Sequence, residues 1–234
     1  MPEERKPGED KEPEPIVQLS EKERALADWV PKTELGKKVL AGEITDINQI
    51  FDKNISILEP AIVDKLLELE EKIVDVKKTT RVVAAGRQFS FRVAVLVGNR
   101  NGFVGLGTAK DKEKWPAVRK ATRNAKLNLI RVRRGCGSWQ CACGRGHSVP
   151  FKVTGKNASV RVTFLPGPNG IGLVAGKTIK DVLLFAGITD VWTKVKGATD
   201  TKLNFIRAAI DALSNTTKMK ASNNISKKIE AGNR

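Results

Sequence analysis

Apolar positions change their spacing near residue 76, and that change divides the chain. Behind Pro60, the residues Ile62, Val63, Leu66, Leu67 and Ile73 recur at helical intervals, with Asp64, Glu68 and Glu71 on the opposite side. This predicts an amphipathic helix, entered by a proline at a first position. Beyond Val76 the period falls to two. Phe89, Phe91, Val93, Val95 and Val97 alternate with Ser90, Arg92, Ala94 and Leu96, the mark of a strand with one buried face. Residues 81–85 read as a strand before it, residues 98–102 as a turn, and residues 103–108 as a hairpin strand after it. Gly105 and Gly107 fall on alternate positions and leave one face bare, which a bulge or the close approach of another backbone would explain.

A second helix opens near Trp115 and Pro116, with Val118, Ala121, Ala125 and Leu129 as its core stripe. Residues 149–153 and 159–165 read as short strands with Gly155 at their turn. Residues 178–186 read as a helix in which Asp181 completes a capping box and Gly187 is the stop. Residues 191–195 read as a strand, and residues 200–213 as a helix on Leu203, Ile206, Ile210 and Leu213. Ahead of all this, residues 1–15 hold four prolines and predict a flexible arm. Ser20 and Glu23 suggest a short capped helix through Trp29, ended by Pro31, and residues 45–50 add one more turn. The expected division is an acidic, partly helical extension over 1–59, a first domain over 60–134 and an insert over 135–147. A second α/β domain follows over 148–214, and a basic, mobile tail over 215–234.

Charge sharpens this division. The 234 residues carry a formal net charge of +16. Residues 1–78 hold 13 basic and 19 acidic residues, a net of −6, whereas the remainder holds 29 basic and 7 acidic, a net of +22. The acidic front is repelled by phosphate and the remainder is attracted to it, so nucleic acid is the expected partner. Arg119, Lys120, Arg123 and Lys126 share the flank of the second helix, and Arg131, Arg133 and Arg134 continue the track. Arg81, Arg87, Arg92, Arg100, Lys110, Lys112 and Lys114 complete the candidate phosphate ligands. Phe89 and Phe91 are expected in the core, as strand phenylalanines usually are, with stacking on bases as the alternative. No apolar run nears the roughly 18 residues of a membrane span, and no secretory signal is visible, so a cytoplasmic protein without membrane contact is expected.

Catalytic patterns fail. Gly176-Lys177-Thr178 lacks the glycine that a phosphate loop needs at 171, where Ile171 stands. The stretch from Gly170 to Ala175 matches a dinucleotide fingerprint in letters, but Pro166 and Pro168 cut the strand that should precede it. With one histidine and few carboxylates in the basic part, an enzyme is not expected. The exceptional feature is Cys136, Cys141, Cys143 and His147, which gather every cysteine and the only histidine into twelve residues among interleaved glycines. Three thiolates and an imidazole suit a closed tetrahedral zinc site. The spacing is not that of paired-cysteine ribbons, so thiols packed in a glycine-rich loop, or a redox role, stay open as alternatives.

The run from Gly86 to Gly107, GRQFSFRVAVLVGNRNGFVGLG, strongly resembles the signature of the small-subunit ribosomal protein five family. The basic helix at 116–134, His147-Ser-Val-Pro150, residues 159–166, Gly170-Ile-Gly172, residues 182–187 and Arg207-Ala-Ala-Ile-Asp211 resemble it in order. The acidic extension and the cysteine insert resemble the archaeal form. The resemblance implies an α+β fold: a three-stranded sheet plus helix, similar to a double-stranded-RNA-binding domain, followed by an α/β domain with a left-handed βαβ crossover. It also implies a structural constituent of the small ribosomal subunit. Such a protein binds 16S-type rRNA beside ribosomal proteins four and eight, near the channel through which mRNA enters, and affects decoding accuracy. One structural zinc is the only cofactor expected. A free zinc-dependent RNA-binding regulator and an enzyme acting on a phosphate substrate at residues 170–178 are the other readings.

Overall fold

The computed structural model describes residues 29–141 and 143–218. The expected arm at 1–15, the capped helix at 20–28 and the tail beyond residue 218 lie outside the described residues.

Three short helices lead the described chain: α1 (Glu34–Leu40), α2 (Ile47–Asp52) and α3 (Pro60–Leu66). The sequence reading did not anticipate α1. It starts where the Thr33 hydroxyl accepts from the Gly36 backbone N–H, a side-chain cap that offsets one orphan donor. The third helix is much shorter than expected. Leu67 is already extended, and β1 (Glu70–Val83) follows, paired antiparallel with β2 (Gly86–Gly98) from Glu70↔Gly98 to Val83↔Gly86. The apolar spacing through Ile73 fits a helix, but Ile73, Val74 and Val76 are β-branched, and β2 offers every residue of β1 except Val74 a ladder partner. A register shift between Ile73 and Asp75 turns Val74 against the core.

β3 (Phe103–Asp111) and the short β4 (Leu129–Arg131) complete a sheet of order β1-β2-β3-β4, one strand more than the family resemblance implies. Helix α4 (Lys114–Leu127) covers one face. Its buried stripe is Ala117, Ala121, Thr122 and Ala125; Val118 is only half-buried, and Leu129 belongs to β4. Gly105 and Gly107 explain the small stripe. A Cβ at Gly107 would stand 1.9 Å from the Ala121 carbonyl oxygen, and one at Gly105 2.3 Å from that of Ala125. Bare backbone on the strand meets alanines on the helix, so the close approach expected from the sequence is what the fold uses. Because Val95 faces Gly107 and Val97 faces Gly105 across the ladder, these valines share the α4 face. Leu96 and Val104 point the other way, into the core of the second sheet. Strand β2 is therefore buried on both faces from Val93 to Val97, not on one.

The second sheet has order β5-β6-β8-β7, from β5 (Val153–Asn157), β6 (Val160–Pro166), β7 (Leu173–Val174) and β8 (Val191–Lys196). Helix α5 (Lys177–Phe185) links the parallel pair β7 and β8, and α6 (Lys202–Lys218) lies against β5 and β6. Gly155 is not at the turn. It sits inside β5, where a Cβ would meet the Ala212 backbone nitrogen at 2.2 Å, and Ala158, with φ of 52°, makes the reversal. Asp181 does not cap α5, which starts at Gly176; its carboxylate instead accepts from Lys72 Nζ at 2.6 Å. Phe164, Ile179, Leu183, Ile188, Ile206 and Leu213 are fully buried and centre the core.

Candidate nucleic-acid interface and metal centre

Strand β3 pairs with β2 only as far as Phe91↔Asp111. Past that point β1 and β2 continue alone as a two-stranded ribbon to the turn at Ala84 and Ala85. The ribbon carries Arg81 and Arg87, with Lys77, Lys78 and Arg92 at its base, all exposed. Lys77, Arg92 and Lys110 are successive cross-strand partners, so three cations form one row across β1, β2 and β3. Like charges placed directly opposite are unfavourable unless an anion lies over them. Among the described residues no carboxylate pairs with Arg81, Arg87, Arg92 or Lys110; Lys77 reaches Asp75 only at 4.0 Å. Phe89, expected in the core, is 47% exposed on this ribbon with Lys78 Nζ 3.9 Å from its ring centroid, and Phe91 is half-buried. β3 ends opposite Phe91, before it could flank Phe89. Lys77 and Lys78 were missed as candidates because the helical reading of residues 62–73 hid the strand that carries them.

The remaining predicted cations separate by whether a carboxylate already holds them. Lys112, Lys114, Arg119, Lys120 and Arg123 are exposed at and along α4 and have no acidic partner among the described residues. Lys126 leaves this group: its Nζ lies 2.8 Å from Asp64 and 3.4 Å from Glu71, tying α4 to α3 and β1. Arg131 binds Asp52 at 2.8 Å. Arg100, with φ of 54° at the β2–β3 turn, donates to Glu70 from Nε at 3.0 Å and from a terminal nitrogen at 2.7 Å. Its backbone N–H donates to the Phe185 carbonyl, so the turn leans on the end of α5. Arg134 fastens the same junction through Asn101 and the Gly187 carbonyl, and burial lowers its guanidinium from the usual range. Arg133 is half-buried, with its backbone N–H donated to the Thr216 hydroxyl.

The insert is a loop pinched shut by a two-way bridge between Gly135 and Ser148, with N···O distances of 2.9 and 3.0 Å. The bridge sets Cys136 and His147 side by side at the neck, and the glycine-rich arch returns Cys141 and Cys143 to them. The three Sγ atoms and a ring nitrogen of His147 lie within 4.8 Å of one another. Ligands of a tetrahedral zinc with bonds of about 2.3 Å stand roughly 3.8 Å apart, so the set needs only a small contraction. Cys141 Sγ already lies 3.9 Å from His147 Nε2. The other ring nitrogen, Nδ1, is 2.9 Å from Asp190 Oδ2, the carboxylate–imidazole arrangement that fixes ring orientation in metal sites. The tight C-x-C spacing therefore does not keep its two thiols apart.

Asp190 is 3% exposed and is the hub of this corner. Its Oδ2 also accepts from the Thr189 hydroxyl, and its Oδ1 accepts from the backbone N–H of Gly170 at 3.1 Å and of Gly172 at 2.9 Å. Burial pushes this carboxyl up, but the donors at Gly172, Thr189 and His147, together with the imidazole charge, outweigh it and hold the carboxyl below its ordinary value. The glycine N–H groups that resembled a phosphate cradle are thus occupied by an internal carboxylate. Cys141 is pulled down to about 6, first by the backbone donor at Asn169 and then by Cys143, so it is a thiolate at neutral pH. Burial, with hydrogen bonds that its thiol donates to Cys143 and Cys141, pushes Cys136 up. No helix among the described residues is long and apolar enough to cross a membrane.

Residues 69–133 match the model for ribosomal protein S5, N-terminal domain, and residues 155–228 match that for ribosomal protein S5, C-terminal domain. A protein named small ribosomal subunit protein uS5 from Methanosphaera stadtmanae is 54% identical over 198 residues, covering 84% of this chain and 87% of its own. Proteins of the same name from Staphylothermus marinus and Methanothermobacter thermautotrophicus are 54% and 50% identical, each over 84% of this chain and 92% of its own. Two successive domain matches and half-identity across most of the length, on a two-sheet fold, lead to one conclusion: this chain belongs to the ribosomal protein S5 family in its archaeal type, a family of structural and not enzymatic ribosomal proteins.

Proposed function

We propose that the protein is a structural constituent of the small ribosomal subunit and binds 16S-type rRNA through the β1–β2 ribbon and the exposed side of α4. The observation that carries this reading is a set of cations that have, among the described residues, no carboxylate partner closer than the 4.0 Å between Lys77 and Asp75. The row Lys77–Arg92–Lys110, with Arg81 and Arg87 further along the ribbon and Arg119, Lys120 and Arg123 on α4, offers charge on rigid backbone. A-form RNA is met through shape, phosphates and 2′-hydroxyls, which suits such a surface. Arg100, Lys126, Arg131 and Arg134 serve mainly to hold the fold together around it. The family resemblance supports ribosomal proteins four and eight as neighbours, placement by the channel through which mRNA enters, an effect on decoding accuracy, and work in the cytoplasm. The domain division at residues 135–147 belongs to the same reading, with the Cys/His-rich insert between the two α/β parts.

Cys136, Cys141, Cys143 and His147 hold one structural zinc in this proposal, and its effect is to close the loop, with Asp190 orienting His147. Metal analysis of the purified chain should find close to one zinc per molecule; well under one would remove the site. For RNA, changing Arg119, Lys120 and Arg123 together to Ala should weaken incorporation into small-subunit particles, measured by co-sedimentation. Unchanged incorporation would count against α4 as the rRNA face. Wild-type protein found mainly off the particle would favour the free RNA-binding regulator.

A further inference from the structure

We propose that the open face of the second sheet is a separate RNA-binding platform, which takes a strand carrying at least one unstacked base. Its choice of polyanion rests on the RNA-binding reading above; its location does not. Alternate residues of β5, β6 and β8 point away from α5 and α6, and the pairing sorts them into rows. Lys156, Arg161 and Lys196 are successive cross-strand partners, as are Thr154, Thr163 and Lys194, and then Leu165 with Trp192 and Val174. Lys152 precedes β5 and lines the same shallow groove of about 370 Å³ as Arg161, Lys194 and Lys196. Five cations thus stand on this side, all exposed, and β5, β6 and β8 contain no acidic residue at all. None of the five side chains has a carboxylate partner among the described residues, although the Asp211 carboxylate accepts from the Lys156 backbone N–H at 3.0 Å; Lys72, Arg100, Lys126 and Arg131, on and around the first sheet, are each held by one.

Three like charges abreast on neighbouring strands destabilise a sheet, since their Cβ atoms are about 5 Å apart. The row Lys156–Arg161–Lys196 is therefore a cost to the isolated fold that a bound polyanion offsets. The next features identify the anion. Thr154 and Thr163 place hydroxyls between the cations, suited to phosphate and ribose oxygens. Beyond them Trp192, 36% exposed, and Val174, 49% exposed, form an apolar end to the charged groove. A basic track that leads to an aromatic ring is the arrangement by which sheets bind single-stranded RNA: phosphates on the cations, a base on the ring. An acidic peptide would use the cations but would leave the indole without a role.

The test uses the full chain and a labelled oligouridine, with affinity followed by fluorescence anisotropy between about 50 and 200 mM salt. Changing Arg161, Lys194 and Lys196 together to Gln should reduce the slope of log affinity on log salt by about 2, since each neutralised single-strand phosphate contributes roughly 0.7. Its melting temperature should be unchanged or higher, because like-charge repulsion is relieved. Trp192→Phe, which preserves the fold and the charges, should remove most of the quenching of tryptophan fluorescence on RNA addition. The ribbon variant with Arg81, Arg87 and Arg92 changed to Gln is measured in parallel. If the ribbon variant loses slope and the sheet variant does not, the platform is overturned while the rRNA reading stands. If neither loses slope, both fall. If poly-glutamate binds the wild type more tightly than oligouridine and only that binding depends on Arg161, Lys194 and Lys196, the sheet is a protein-docking face and the proposal is wrong.

Discussion

Replacing Asp190 by Asn tests the link between the cysteine cluster and the fold. Aspartate gives both oxygens to donors: Oδ1 to the N–H groups of Gly170 and Gly172, and Oδ2 to His147 Nδ1 and the Thr189 hydroxyl. Asparagine has one acceptor oxygen and one NH₂. With its oxygen toward the glycines, the NH₂ meets His147 Nδ1, which must carry a proton when Nε2 binds a metal. With the amide flipped, the NH₂ meets two backbone donors instead. Either way at least one donor at a nearly buried site loses its partner, which costs about 1–3 kcal/mol. Part of that loss falls on the orientation of His147, so zinc affinity should drop roughly 10–100-fold. Zinc affinity is measured by competition with a chromophoric chelator at neutral pH. Thermal melting in excess chelator isolates the share borne by the fold alone. The reasoning fails if the Asp190→Asn protein holds zinc within about twofold of the parent, since no orienting role of the carboxylate could then be claimed.

Three further outcomes follow from the geometry. Gly107→Ala places a Cβ 1.9 Å from the Ala121 carbonyl oxygen, so α4 must lift from the sheet at a cost of at least about 3 kcal/mol, whereas Gly176→Ala, with 3.8 Å to its nearest neighbour, should change stability by under about 1 kcal/mol; denaturant titration compares them. In chelated protein at neutral pH, Cys141, with its thiol at about 6, should be alkylated well before Cys136, whose thiol is pushed up; mass spectrometry of peptides reads the order, and zinc should protect both. Because the folded Asp190 carboxyl titrates below its unfolded value near 3.8, its contribution is complete above that pH and is lost as the pH falls through the lower folded value. Melting temperatures of the chelated wild type should therefore fall steeply only below about pH 4, and Asp190→Asn should lack that acid limb.

Much of this molecule was legible from residue order because its signals are local. Alternation placed β2, the paired bare glycines announced a backbone pressed against β3, and α5, β8 and α6 stand within a few residues of their apolar patterns. The division of charge is a count, and the family signature lies in one continuous run. The gathering of Cys136, Cys141, Cys143 and His147 was visible as spacing, whereas their convergence within 4.8 Å depends on the Gly135–Ser148 bridge. Tertiary structure decided what rests on partners distant in sequence. Helical spacing after Pro60 lost to a ladder with β2 that no local pattern encodes, and with it came the ribbon and the exposure of Phe89. Which cations are free was equally hidden: Lys126 is answered by Asp64 and Glu71, and Arg131 by Asp52, each more than fifty residues away. Asp190 became the link between the cysteine loop and the glycine turn only because β8 begins beside both. Charge is written in the chain, but whether it is neutralised depends on where the fold sets its opposite.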